Sequence, residues 1–176
     1  WTRDDDLRNA NYRGASAHRL QATLDPTTKL PTAWSHRIVS AQFENPVPGQ
    51  ASGPAILGAI DQPYEFANCR IDWCGVKLPI PTTIWRSVGY SSNTYVIESF
   101  VNELANTAGI DPLAYRVSLL ENQPRLQECL LRVKKNSAWG TKNRHLGVAC
   151  YNFAGTNVAQ VAEVEGTGLK DFKVIK

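Results

Sequence analysis

Apolar and polar positions change their period twice along this 176-residue chain. SAHRLQATL (16–24) and TAWSHRIVS (32–40) alternate, which sends successive side chains to opposite faces of a strand. The link between them, DPTTKLP, holds Asp25-Pro26 and Pro31, so a β-hairpin is predicted. Residues 44–55 (ENPVPGQASGPA) read as a loop, NCRIDWC (68–74) as a short strand and KLPIPTT (77–83) as a Pro-rich bend. From Thr94 the spacing lengthens. Ile97, Phe100, Val101, Leu104 and Ala108 recur at helical intervals, with Ser91, Ser92 or Asn93 as the expected cap and Gly109 as the stop. Asp111-Pro112 starts a second helix through Leu113, Arg116, Val117 and Leu120. A third begins near Pro124, carries Leu126, Leu130 and Val133, and ends before Trp139-Gly140. GVACY (147–151), TNVAQVAEV (156–164) and LKDFKVIK (169–176) return to alternation, with a tight turn at Gly166-Thr167-Gly168. Strands, then helices, then strands predict an α+β fold, with a β-hairpin and short strands packed on about three helices.

Composition narrows this little. The chain is 43% hydrophobic, enough for a core, and its net charge of +3 is too mild to argue for nucleic acid or a membrane surface. No apolar run approaches the roughly 18 residues that a membrane span needs. The chain has no Met and opens on WTRDDD, which is read as an internal segment of a longer protein. The four cysteines have no C-x-x-C spacing and stand apart from His18, His36 and His145. They are expected to be small buried hydrophobes, with Cys69 and Cys74 on opposite faces of a strand and not in a local disulfide. Asp4-Asp5-Asp6 is expected to be a solvated turn. The basic residues Arg125, Arg132, Lys134, Lys135, Lys142 and Arg144 are expected on an ordinary solvated face.

No nucleophile elbow, Walker loop, zincin or dinucleotide motif is present. One stretch does carry chemistry. In IWRSVGYSSN (84–93) a Gly-containing loop leaves a Pro-rich bend and opens onto a helix, so several backbone N–H groups are expected to be exposed there. Arg86 adds a charged fork suited to an oxyanion. The competing possibility is that Arg86 fastens the loop by pairing with Glu98 or Glu103.

The block IWRSVGYSSNTYVIESFVNELANTAGIDPLAYRVSLL resembles the xanthine dehydrogenase/aldehyde oxidase family of molybdenum hydroxylases. Within it, the likeness is to molybdopterin-binding large (beta) subunits of the isoquinoline 1-oxidoreductase and bacterial aldehyde dehydrogenase type. The matching residues are Trp85-Arg86-Ser87-Val88-Gly89, Glu98-Ser99-Phe100 with Glu103-Leu104-Ala105, and Asp111-Pro112 with Arg116. The opening WTRDDDLRNANYRGASAHRL resembles the family's start, with Gly14 where a Pro is usual, and AGTNVAQVAEVE resembles a strand near its cofactor site.

The resemblance implies that residues 1–176 are a single segment of a molybdenum cofactor-binding region, a fragment of a larger oxidoreductase subunit. It places Arg86, Ser87, Val88 and Gly89 against the cofactor, with Gly155 and Thr156 approaching it. It sets Val88 and Phe153 beside substrate. Xanthine-type enzymes carry an aromatic ring at the position of Val88, and GPAILGA (53–59) lacks the arginine that clamps purines. An N-heteroaromatic or aldehyde substrate is therefore implied, hydroxylated with oxygen from water as hydride passes to molybdenum. The implied cofactor is molybdopterin, in its cytosine dinucleotide form. The implied partners are the rest of the large subunit and an iron–sulfur small subunit. The family's catalytic glutamate has no counterpart here, and Glu98 and Glu103 read as structural carboxylates on a helix. The segment alone is then expected to be inactive and to hold no cofactor, with no catalytic and no metal-ligating residue of its own. A non-catalytic scaffold of the same fold is the alternative. Both a cytoplasmic and a periplasmic location remain open.

Overall fold

Alternation along the second predicted strand decides which face is buried. In the computed structural model, which describes residues 12–42, 52–166, 168 and 171–176, Trp34, His36, Ile38 and Ser40 all point inward. They lie on β3 (Pro31–Ala41), which pairs antiparallel with β2 (Ser16–Leu24) as the hairpin predicts. Asp25 closes the turn by accepting the amides of Thr27 and Thr28 at 2.8 and 2.7 Å.

The chain divides into two compact units. One comprises the residues up to Asp61 together with Phe66–Ile97, the other Gln62–Glu65 with Glu98–Lys176. In the first unit β1 (Tyr12–Arg13) pairs in parallel with β5 (Thr82–Thr83). The three-stranded sheet has the order β2-β3-β4, where β4 (Asn68–Val76) runs parallel to β3. Trp34 stacks on Phe66 with centroids 4.7 Å apart, and Trp73 Nε1 donates to Ser40 Oγ at 2.9 Å. Both parallel pairings join strands far apart in sequence, so no local pattern announces them.

Part of the predicted loop 44–55 is ordered as α1 (Gly53–Ile56), started by Pro54 in its first turn. Residues 44–51 of that loop, like Asp4-Asp5-Asp6, lie outside the described residues.

Three longer helices follow: α2 (Tyr90–Ala108), α3 (Pro112–Leu119) and α4 (Pro124–Asn136). Helix α2 contributes Tyr90–Ile97 to the first unit and Glu98–Ala108 to the second. Gly109 stops it at φ 69°, and Ile110 N donates back to Ala105 O at 3.0 Å in a Schellman closure. Asp111 caps α3 by accepting the Ala114 amide at 2.9 Å, as predicted. Helix α4 buries Leu126 and Leu130 and leaves Arg125, Arg132, Lys134 and Lys135 exposed. In the second unit it packs on β7 (Thr156–Glu165), which pairs antiparallel with β6 (His145–Phe153) and β8 (Lys173–Val174).

Three expectations need correction. The helix cap at Ser91–Asn93 fails because α2 already starts at Tyr90, and Ser91 and Ser92 instead return their hydroxyls to Val88 O and Gly89 O. The last strand is shorter than 169–176: among the described residues β8 covers Lys173–Val174, beyond which Ile175 N still donates to Glu163 O and Lys176 O accepts from Glu163 N, both at 2.9 Å. Cys69 and Cys74 are exposed, because β4 is an edge strand, and only Cys150 is buried as expected. None of the four cysteines forms a disulfide among the described residues.

A histidine pair, in which His36 is buried and His18 half-buried, adds a pH dependence. His18 Nδ1 meets His36 Nε2 at 3.0 Å, and His36 is fully inaccessible, with its Nδ1 unpartnered among the described residues. Burial, reinforced by His18, pulls the His36 pKa down to about 4 from the ordinary 6.5. A base whose folded pKa is depressed stabilises the fold above its unfolded pKa and loses that contribution as pH falls. Unfolding in denaturant between pH 6.5 and 4 should show the wild type losing about 3 kcal/mol more than a His36→Leu variant. Equal pH slopes for the two proteins would remove His36 as the cause.

Candidate functional site

The stretch that leaves β5 does not continue as a strand, because Trp85–Gly89 turns sharply into α2. Ser87 and Val88 sit at φ 63° and 50°, two consecutive L-residues in the left-handed region. Such a conformation costs roughly 1–3 kcal/mol per residue, and a β-branched side chain is rarely found there. Local bonds support it: Val88 N donates to Trp85 O at 2.8 Å, Tyr90 N to Ser87 O at 3.0 Å, and Ser87 Oγ to Arg86 O at 2.6 Å. Behind the turn, a Cβ on Gly89 would lie 2.6 and 2.7 Å from Pro54 O and Leu57 O, so only glycine fits. Asn93, fully buried on α2, donates to Ala55 O and Leu57 O at 2.9 and 2.8 Å and locks α1 to that backbone.

The turn therefore presents fewer free amides than the sequence suggests. Val88 and Tyr90 spend theirs on turn carbonyls. Arg86, Ser87 and Gly89 make no backbone N–H bond among the described residues. Val88 and Gly89 line a narrow recess of about 30 Å³ with Arg13, Thr83, Trp85 and Ser91. That space admits a single oxygen-sized group and no ring system. A cavity of about 680 Å³ in the same unit opens elsewhere, between residues such as Ala22, Trp34, Asn68 and Arg70, and contains none of the predicted site residues.

Arg86 is exposed and forms no salt bridge among the described residues. Its expected partner Glu98 is committed to Arg116 instead. In the second unit, Arg116 Nε donates to Glu98 Oε2 and Nη2 to Glu98 O, both at 2.9 Å, while Nη1 reaches Asn102 Oδ1 at 2.8 Å. Glu98 also accepts Tyr64 OH at 2.6 Å and the Cys150 amide at 2.8 Å. Every oxygen of this buried carboxylate is thus satisfied, which fits the structural role expected for Glu98. Burial, with Glu98 beside it, pushes the Cys150 thiol up to about 12 and the Tyr64 phenol well above its usual range. Neither group is a nucleophile at neutral pH. Glu103 is exposed on the helix surface.

The sequence displayed both members of the Glu98–Arg116 pair inside one motif. It did not show that they face each other. Arg13 was missed as well, since nothing local marks it as a neighbour of residue 86.

Phe153, Gly155 and Thr156 fall in the second unit, whereas Arg86–Gly89 belong to the first. They form the tip of the β6–β7 hairpin. Phe153 and Thr156 are paired across it, and Ala154 and Gly155 take φ 49° and 83°. Two central residues with positive φ make a type I′ turn, which gives Gly155 a purely conformational reason. Phe153 is exposed.

The family model described as a molybdopterin cofactor-binding domain matches residues 1–118. The chain is also 25% identical to the beta subunit of isoquinoline 1-oxidoreductase from Brevundimonas diminuta over 178 aligned positions, which cover 93% of this chain and 22% of that protein. It is 29% identical to a nicotinate dehydrogenase subunit from Pseudomonas putida over 83 positions, 47% of this chain and 7% of that one. The chain thus spans about a fifth, or less, of the length of these relatives.

Removing one charge of the buried pair should be costly. Glu98→Gln leaves the Arg116 guanidinium buried without a counter-ion and should destabilise the protein by about 3–5 kcal/mol. Glu98→Gln combined with Arg116→Met should cost clearly less than the sum of the single changes. Denaturant titration of the four proteins checks this, and simple additivity would contradict the coupling.

Proposed function

The chain belongs to the molybdopterin cofactor-binding domain family, and from that premise we propose that it is one segment of the cofactor-binding subunit of a molybdenum hydroxylase. The observation that carries this reading is the Trp85–Gly89 turn. It holds two strained residues, Val88 and Gly89 line an oxygen-sized recess, and the amides of Arg86, Ser87 and Gly89 make no backbone bond among the described residues. Strain maintained by surrounding structure is a mark of functional backbone.

Arg86, Ser87, Val88 and Gly89 would meet the cofactor. The free amides would donate to its oxygen atoms, and the exposed Arg86 guanidinium would add positive charge. Molybdopterin, when bound, supplies a metal centre that hydroxylates carbon with oxygen from water and accepts the electrons released. Because the recess is too small for a pterin, other parts of a longer polypeptide must supply most of the grip. Residues 1–176 alone are accordingly proposed to hold no cofactor and to be inactive. The cytosine dinucleotide form, an iron–sulfur partner subunit, and roles for Gly155 and Thr156 on the cofactor complete the proposal.

The substrate proposed is an N-heteroaromatic or an aldehyde. Val88 lines the recess with an aliphatic side chain, and Phe153 offers an exposed ring. Both relatives carry the names of N-heteroaromatic compounds, isoquinoline and nicotinate. Among the described residues no helix is long and apolar enough to cross a membrane.

Metal and pterin analysis of the purified full-length protein tests the reading. We expect molybdenum in the wild type, and a roughly tenfold or greater loss of metal content or kcat/KM in Arg86→Ala, the scale of one charge-assisted contact. Full metal loading and unchanged turnover in that variant would overturn the assignment of Arg86. A wild type without molybdenum would favour a non-catalytic scaffold.

A further inference from the structure

We propose that Arg13 is the positioning residue of the Trp85–Gly89 turn, a role that rests on the reading of that turn as a cofactor contact. The bonds inside the turn are all local. Ser87 Oγ to Arg86 O, Ser91 Oγ to Val88 O and Ser92 Oγ to Gly89 O link residues one to three positions apart. They shape the turn but do not fix it to the strands that lead into it.

Arg13 supplies that link from 73 positions earlier in the chain. Its backbone pairs with Thr83 on β5, and Tyr12 N donates to Pro81 O at 2.9 Å, so the approach to the turn is held. Its Nη2 donates to Arg86 O at 3.3 Å in the middle of the turn. Its Nη1 donates to Ser91 Oγ where the turn enters α2. One residue thus touches the entry, the centre and the exit.

The contact with Arg86 O has a geometric consequence. A peptide unit is planar and trans, so the Ser87 N–H points opposite to the Arg86 carbonyl. Holding that oxygen aims the Ser87 amide, one of the three in the turn without a backbone bond among the described residues. The grip needs a planar fork with two separated donors, which a lysine ammonium does not provide. Arg13 therefore acts through the backbone of residues 86–87 and need not touch substrate.

The experiment uses the full-length subunit with its partner chains, comparing wild type, Arg13→Gln, Arg13→Lys and Ser91→Ala. Hydrogen exchange across residues 84–92 reads the turn directly, whether or not a cofactor is present. We expect exchange there to rise about tenfold in Arg13→Gln, with β2–β4 unchanged. Arg13→Lys should not restore it, and adding Ser91→Ala to Arg13→Gln should add little. In cofactor-loaded protein the same variants should lose molybdenum or kcat, with KM changing less. Unchanged exchange at 84–92, or full rescue by lysine, would overturn the proposal. If Arg13→Gln raises exchange everywhere, Ser91→Ala decides alone: a local rise supports the grip, and no rise overturns it. A wild type without molybdenum would sink the functional reading while the exchange arm still judges Arg13.

Discussion

Ser87 and Val88 stand in a backbone region that L-residues, and β-branched ones above all, avoid. A conformation of this kind persists only if its surroundings forbid the alternatives, and here they do so from three sides. The carbonyls of Pro54 and Leu57 press against Gly89, which excludes any side chain at that point. Asn93 ties the same segment to α2 by donating to Ala55 O and Leu57 O. Arg13 reaches the turn from β1. The short helix α1, the β1–β5 pairing and the start of α2 are arranged around this constraint.

The two arginines of the family motif divide the chemistry between them. Arg116 is buried, and its charge is met by Glu98, by Asn102 and by two backbone carbonyls. With four of its five N–H donors engaged and no exposed surface, this guanidinium is held to the fold. Arg86 is exposed, makes no ion pair among the described residues, and precedes the strained pair. Burial and pairing thus separate a residue that supports the fold from one free to act. Glu98 belongs to the first class, since Tyr64 and the Cys150 amide take up what Arg116 leaves of its oxygens.

Local signals in the sequence were reliable where the physics is local. The hairpin of β2 and β3 follows from alternation and from Asp25 in the turn. The stop at Gly109 and the Asp111 cap follow from chemistry within four residues. The parallel pairs β1–β5 and β3–β4 were not legible, because they join segments separated by many residues of intervening chain. The same holds for Arg13 beside Arg86 and Arg116 beside Glu98. The polar run Ser91-Ser92-Asn93 looked like a cap because those side chains can serve as one. The turn at 87–89 had already started the helix, so their groups bond backward and outward instead. The strain itself has no sequence signature, since valine is the residue least expected at positive φ.

That strain is the claim most open to direct measurement. In ordinary helical or extended backbone, glycine is less stable than alanine by about 0.5–1 kcal/mol. In the left-handed region the order reverses, because alanine carries the Cβ penalty and glycine does not. Denaturant unfolding of Val88→Ala and Val88→Gly compares them at equal loss of the valine side chain. The glycine variant should be the more stable of the two by about 1 kcal/mol. An alanine variant that is equal or more stable would show that residue 88 is not held at positive φ and would contradict the account.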